Sequence, residues 1–300
     1  MRVAEYQLDL ASVANPNCPF IEYLDSNDTR CYDLHPKSGY EVISENSIEL
    51  PWWLSRIDGV GLENLSATAT PDIKLPKFIP TIPDGSSSLM QNNSMDIVGV
   101  NLGKIISLYH NSKTRNIKDF LDVPSETRVV LFCYGKDKLI EDIWPKREEF
   151  YKWVEGLNFD LVTGINYSIW LDQPHAERLI NIKRNLITFV EMQNLGIPAI
   201  PHLYWSGHAD IDRIIDWLNS NSKIRLAALN LQTLKSNTDW QTFIHEFRYF
   251  AQKVDPKIHF IISGPSTLSR IITVAGILPN FSYTNTSCAL NAFRSHRLVK

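Results

Sequence analysis

Ile165-Asn166-Tyr167-Ser168-Ile169-Trp170-Leu171-Asp172-Gln173-Pro174 opens a stretch that closes on Gly196-Ile197-Pro198-Ala199-Ile200-Pro201 and then His202-Leu203-Tyr204-Trp205. Between these ends Leu179, Ile182, Leu186, Phe189 and Val190 recur at steps of three or four, the spacing of one helix face, and Gly196 supplies the stop. Strand, polar turn, helix and strand follow one another, which predicts a parallel βαβ unit with its polar turn at the carboxyl end of a strand.

Outward from this unit the same alternation continues. Extended, β-branched runs are predicted at Phe78–Ile82, Met95–Val100, Arg128–Tyr134, Phe159–Ile165, Pro198–Tyr204, Ile224–Leu231, Lys257–Ser263 and Phe281–Thr284. Segments of helical spacing lie between them, including Ile211–Leu218, Trp240–Val254 and an apolar-faced piece through Ile105, Ile106 and Leu108. Eight βα units predict an α/β fold, a (β/α)8 TIM-like barrel, whole or distorted, with a last helix after Ser287 that is short or incomplete. An open doubly wound sheet is disfavoured because its glycine-rich first turn is missing. Residues 76–300 are assigned to the barrel and residues 1–75 to an irregular N-terminal arm or small subdomain. The arm is too apolar for a free tail, and the Trp52-Trp53 pair beside Pro51 needs burial, so it is expected to wrap the barrel, with a separate interaction module as the alternative.

Asn166-Tyr167-Ser168-Ile169-Trp170, Asp172, Pro174, Asn181, Arg184, Gln193, Gly196-Ile197, Ile200-Pro201 and Trp205 resemble the signature of an uncharacterised bacterial, plasmid and phage family, a domain of unknown function. That signature runs Asp-Phe-Ser-Leu-Tyr, an Asp, a nearby Pro, Asn-x-x-Arg, Gln-x-x-Gly-Ile and Ile-Pro-x-x-x-Trp, and the spacing fits without a gap over about forty residues. Asn166 stands where the family carries an acid, which argues against a general base at that point. The resemblance implies a site around this stretch and implies no particular chemistry.

A net charge of -3 over 300 residues argues against a strongly electrostatic nucleic-acid or membrane binder, although a local basic groove fits within such a total. Cys18, Cys31, Cys133 and Cys288 are scattered without a Cys-x-x-Cys pair, which suits a reducing compartment. No apolar run reaches membrane-spanning length, and Met1–Val13 lacks the basic start and apolar core of a leader. The chain is therefore expected to be cytoplasmic and unprocessed. Cys18, Cys31 and His35 lack regular ligand spacing, as do His175, His202, His208 and Asp210, so no metal and no cofactor are assigned.

In a barrel, chemistry belongs where strands end and helices begin, because eight strand termini converge there on one mouth. The predicted strand ends offer Tyr134 with Lys136 and Asp137; Asn166, Tyr167 and Ser168; His202, Tyr204 and Trp205; Asn230 and Gln232; Ser263, Gly264 and Ser266; and Asn285. Amides, hydroxyls and aromatics dominate, a lining suited to a planar polar ligand such as a nucleobase or nucleoside. Tyr204 and Trp205 are the expected stacking partners, with rim packing as the bland reading, and Asn166 and Asn230 the expected edge contacts, with Asn230 as a turn cap the alternative.

Asp172 and Asp137 are the candidate catalytic carboxylates, weighed against a helix-capping role for Asp172 and a solvated loop charge for Asp137. Arg184 reads as an internal ion pair or a brace for loop backbone, with a phosphate contact as the minor alternative. Ser263-Gly264-Pro265-Ser266 follows the seventh strand, where barrels often hold phosphate on backbone N–H groups, though Pro265 has none to give. Walker, Gly-x-Ser-x-Gly and His-Glu-x-x-His motifs are missing.

The leading expectation is a barrel enzyme acting on a nucleobase-containing substrate, small molecule or nucleic acid, by glycosyl transfer or base exchange. The layout is similar at fold level to tRNA-guanine transglycosylases, whose zinc-binding cysteine cluster and aspartate pair are missing here. The rival is a non-catalytic scaffold in a mobile-element-associated multi-protein system, with the N-terminal arm docking a protein partner.

Overall fold

Every one of the eight extended runs forms a strand. The computed structural model describes residues 50–82, 95–103, 105–106, 116–170, 173–264 and 267–286. Its strands are β1 (Phe78–Ile82), β2 (Ile97–Asn101), β3 (Arg128–Phe132), β4 (Leu161–Thr163), β5 (Ala199–Ile200), β6 (Leu226–Asn230), β7 (His259–Ser263) and β8 (Phe281–Asn285). All pair in parallel, in the order β5-β4-β3-β2-β1-β8-β7-β6. The two ends of this sheet meet at a bridge between His202 and Ala228. There Leu203 N–H donates to the Ala228 carbonyl at 2.9 Å and Ala228 N–H to the Pro201 carbonyl at 2.8 Å. The sheet therefore curls into a nearly closed (β/α) barrel, as expected.

Two strands are shorter than expected. Pro198 and Pro201 flank β5 and have no N–H for a ladder, so only Ala199–Ile200 pairs regularly. Regular pairing of β4 ends at Thr163; at Gly164, whose N–H still donates to the Ile200 carbonyl at 2.8 Å, a side chain would meet the Asn185 carbonyl at 3.1 Å.

The helices are α1 (Leu50–Arg56), α2 (Ile117–Leu121), α3 (Asp137–Ile143), α4 (Arg147–Leu157), α5 (His175–Asn194), α6 (His208–Ser220), α7 (Asn237–Lys253) and α8 (Leu268–Ile277). Among the described residues no helix is long and apolar enough to cross a membrane. Period-two alternation along the strands divides the core. Ile79, Ile97, Val130, Phe132, Leu161, Ile200, Leu226, Ala228 and Ile261 fill the lumen, while their neighbours Val98, Val129, Leu131, Val162, Ala227, Phe260 and Ile262 pack against the helices. Fully burying an Ile or Phe side chain contributes about 1.5–3 kcal/mol, so a filled lumen is a main source of stability. Gly99 makes room in it: any side chain there would run into the Phe132 ring.

Helix α5 carries fourteen buried residues, among them Asn181, Lys183, Arg184, Asn185 and Thr188. Of these, Asn181, Asn185 and Thr188 add to the backbone bonds that the chain after β4 makes, Gly164 N–H to the Ile200 carbonyl and Asn166 N–H to the Cys133 carbonyl. Tyr167 N–H donates to Asn185 Oδ1 at 2.7 Å, Asn185 Nδ2 to the Tyr167 carbonyl, Ile165 N–H to Thr188 Oγ1, and Asn181 Nδ2 to the Ser168 carbonyl at 2.9 Å. The chain beyond β4 is thus held rigid although it is irregular.

The part of the N-terminal arm that is described, from residue 50, runs as a strap along α5 and α6 and beneath the barrel. Lys183 donates to the Asp58 carbonyl, Trp217 Nε1 to the Leu65 carbonyl, Thr68 N–H to Gln193 Oε1 and Arg225 N–H to Thr70 Oγ1, all between 2.7 and 2.9 Å. Of the tryptophan pair only Trp53 is buried; Trp52 stays half exposed beneath the Arg56 guanidinium. Cys18, Cys31, His35, Leu108, Asp172, Pro265, Ser266, Cys288 and the helix expected after Ser287 lie outside the described residues.

Candidate ligand site at the barrel mouth

Where the lumen reaches the carboxyl ends of the strands, apolar side chains give way to rings and polar groups. Tyr134 continues the inward row of Val130 and Phe132, and stacks on Phe132 with centroids 5.7 Å apart. His202, at the barrel seam, meets Tyr134 edge-on at 5.3 Å and Tyr204 at 4.9 Å. The Tyr134 hydroxyl lies toward Ser263 and the Tyr204 hydroxyl toward Asn166. Residues from β3, β4, β5 and β7 and the loops after them thus form one ring across the mouth.

Tyr134, Asn166, His202 and Ser263 are buried, His202 at 0 % and Ser263 at 1 % exposure, and Tyr204 is partly buried. Among the described residues both nitrogens of His202 and Asn166 Oδ1 have no hydrogen-bond partner, while the Tyr134 hydroxyl pairs with Ser263. A buried polar group without a partner costs about 1–3 kcal/mol, and proteins rarely collect several at one place.

Burial sets the protonation states. It pushes His202 down to about 3, so the imidazole is neutral and presents one donor and one acceptor. It pushes the Tyr134 and Tyr204 phenols up, and the nearby Asp137 charge adds to the push on Tyr204, so both remain O–H groups. The Cys133 thiol is pushed up by burial as well and is a packed, inert group.

Asp137 is the first residue of α3. Its Oδ1 accepts from Ser168 Oγ at 2.7 Å and its Oδ2 from Trp170 Nε1 at 3.3 Å, so two donors from the loop after β4 fix its orientation. The expected solvated loop charge is instead an oriented carboxylate.

Tyr167 does not reach the mouth, whereas Trp205 lines a cavity there beside Tyr204 and Asn230. Alternation sends Asn166 inward and Tyr167 outward, where Tyr167 lies fully buried under the Arg184 guanidinium, 3.7 Å from its ring centre. Trp205 stacks in the aromatic row of α7, with Phe250 at 4.8 Å and Phe243 at 5.8 Å, and its indole bonds Glu246. The rings that meet at the mouth are Tyr134, His202 and Tyr204.

Arg184 is the internal brace that its place in the motif suggests. It holds Glu141 with both arms, at 3.1 and 2.6 Å, and Asn181 Oδ1 at 2.8 Å, with Tyr167, Trp144 and Trp53 around its faces. Helix α5, helix α3, the strap and the loop after β4 all meet on it.

The family described as Domain of unknown function (DUF4417) matches residues 106–288. The chain belongs to that family. The DUF4417 segment spans β3 to β8 and so includes every residue of the polar ring, while β1, β2 and the strap precede it. No curated protein matches the chain.

Two cavities lie at this end of the DUF4417 barrel, the smaller of them against Tyr204 of the ring. One of about 90 Å³ is lined by Tyr204, Asn230, Leu231, Phe243, Asp239 and Glu246. Asn230 also caps its own turn, accepting from Gln232 N–H at 3.0 Å. The other, of about 600 Å³, is lined by Gln232, Gly264, Asn285, Lys235 and Arg270 among others. Glu246, Lys235 and Arg270 escaped the sequence reading. Glu246 follows Asp239 and Phe243 at helical spacing, a usable signal; Arg270 gave none. Among the described residues no three His, Cys, Asp or Glu side chains gather as a metal site, and His208 stacks on Tyr249 at 4.0 Å.

Proposed function

We propose that this barrel binds a planar, polar heterocycle of the nucleobase class at its mouth and acts on the glycosidic bond to it. The observation that supports the reading is the buried ring of Tyr134, Asn166, His202 and Ser263, in which both His202 nitrogens and Asn166 Oδ1 have no partner among the described residues. A heterocycle edge offers alternating donors and acceptors to such groups, and its faces suit the rings of Tyr134 and Tyr204. Neutral His202 and two protonated phenols recognise an uncharged ligand edge without an ionic partner.

For the chemistry, Asp137 is the carboxylate at the rim that two donors already orient. In glycosyl transfer the bond from the anomeric carbon to the base nitrogen breaks with its electron pair on the base. The sugar gains oxocarbenium character, which Asp137 would stabilise, and water or an incoming base forms the new bond to the anomeric carbon. A hydroxyl or imidazole N–H of the ring would hydrogen-bond the departing base. The setting fits a cytoplasmic protein with reduced cysteines.

Turnover is read by chromatography of free base released or exchanged from nucleosides and nucleotides. Asp137→Asn is expected to lower the rate about 100-fold while base affinity is retained, within the usual range for losing one positioned catalytic group. Unchanged turnover in Asp137→Asn would remove its role, and failure of the protein to bind any base or nucleoside would remove the reading.

A scaffold in a mobile-element-associated system is the second reading. It has its own observation: Leu268 and Ile272 stand 72 % and 62 % exposed on one face of α8, an apolar surface that catalysis does not use.

A further inference from the structure

The larger cavity is separated from the smaller one by the segment Leu231–Ser236, and it opens at the ends of β2, β6, β7 and β8. Lys235 and Arg270 line it together with the amides and hydroxyls of Asn101, Asn237, Thr267 and Ser269, and among the described residues no carboxylate does.

Neither cation is neutralised. Lys235 takes part in no ion pair among the described residues. Arg270 donates to the carbonyls of Leu234 at 2.5 Å and of Lys235 and Ser236 at 3.3 Å, and to Asn237 Oδ1 at 3.2 Å, with Trp240 4.7 Å beneath it. These partners immobilise the guanidinium and leave its charge uncancelled, so a full positive charge is fixed at the cavity wall.

Gly264 draws the backbone inward. Its φ is +68°, and a side chain there would stand 2.9 Å from Gln232 N, so only glycine lets the loops after β6 and β7 approach this closely. Two cations without an ion pair, in a concave lining that holds no carboxylate among the described residues, raise the local potential for anions even though the whole chain is net negative. The amino end of α8 adds to it.

We infer that this cavity holds a phosphate group, and that the protein's ligand is a nucleotide rather than a free base. A phosphate dianion matches two cations in charge, and its oxygens accept from donors on several sides, as the ammonium, hydroxyls and amides here require. The nucleotide part rests on the base-binding reading above; the phosphate part rests on this cavity alone.

Calorimetric titration of the full chain with inorganic phosphate, the four common ribonucleosides and their 5′-monophosphates tests both. At least one monophosphate is expected to bind ten or more times as tightly as its nucleoside. Lys235→Glu is expected to erase that advantage with nucleoside affinity and circular dichroism unchanged, and Ser269→Asp to weaken it in the same direction. Equal affinities for nucleoside and monophosphate, or an advantage that survives both variants, would overturn the inference and leave the base reading standing. Phosphate binding that depends on Lys235 while no nucleoside binds would keep the phosphate site and remove the base.

Discussion

Arg184→Ala is expected to destabilise the protein by about 3–5 kcal/mol, the range for breaking a buried ion pair from one side. Side-chain exposure is 0 % for Arg184 and 23 % for Glu141, and among the described residues Arg184 is the cation that pairs with Glu141, across a bidentate contact. Its guanidinium also fills the space between three aromatic faces, Tyr167, Trp144 and Trp53, so truncation opens a cavity as well as stranding a carboxylate. Total stability for a domain is commonly about 5–15 kcal/mol, so the variant should melt early or fold poorly. Arg184→Lys should recover little, because a point charge can neither span both carboxylate oxygens nor stack on the rings. Urea denaturation followed by tryptophan fluorescence reads the effect, and proteolysis near residue 56 should rise together with it because Trp53 loses its anchor. A loss below about 1 kcal/mol would mean that Arg184 does not organise this junction.

His202→Phe is expected to keep or raise stability at pH 7 and to abolish ligand binding. The wild-type imidazole buries two nitrogens that have no partner among the described residues, and phenylalanine removes that cost while packing against Tyr134 and Tyr204. The pH dependence gives an independent reading. In the folded protein His202 is held down to about 3, against an ordinary value of about 6.5 in the unfolded chain. The unfolded state therefore binds the extra proton first. The His202 contribution is complete above pH 6.5 and is lost as pH falls through that value toward 3, at up to about 1.4 kcal/mol per pH unit. Subtracting the His202→Phe stability curve from the wild-type curve isolates this limb from the carboxylates, which titrate in both. A flat difference between pH 4 and 6.5 would show that the imidazole is solvated, and a site built on its burial would fall with it.

Much of the barrel can be read from the chain because strand and helix periods are local properties. Runs such as Arg128–Phe132 and the Leu179–Val190 spacing state their periods in neighbouring residues, and all eight strands follow. Pro198 and Pro201 also announce why β5 is short, since the missing donors are visible in the sequence.

Site geometry is less legible. That Tyr204 meets His202 and Asn166 depends on where the barrel seam closes, and Tyr167 is lost to the helix layer by a one-residue change of face. That Trp205 also packs into an aromatic row is hidden, because nothing in its own neighbourhood reveals that Phe243, Phe247 and Phe250 approach it from a helix some forty residues on. The cation pair is hidden for a similar reason: Lys235 and Arg270 belong to different βα units and share a wall only after folding.

The central claim is that a ligand engages the buried polar ring, and nitrogen NMR of the histidine side chains reads it directly. One imidazole, assigned by its loss in His202→Phe, should remain neutral down to about pH 4, and its nitrogens should shift by several parts per million when a bound nucleobase or nucleotide supplies the missing hydrogen bonds. A ligand that saturates the protein while that imidazole stays unmoved would place binding elsewhere and contradict the claim.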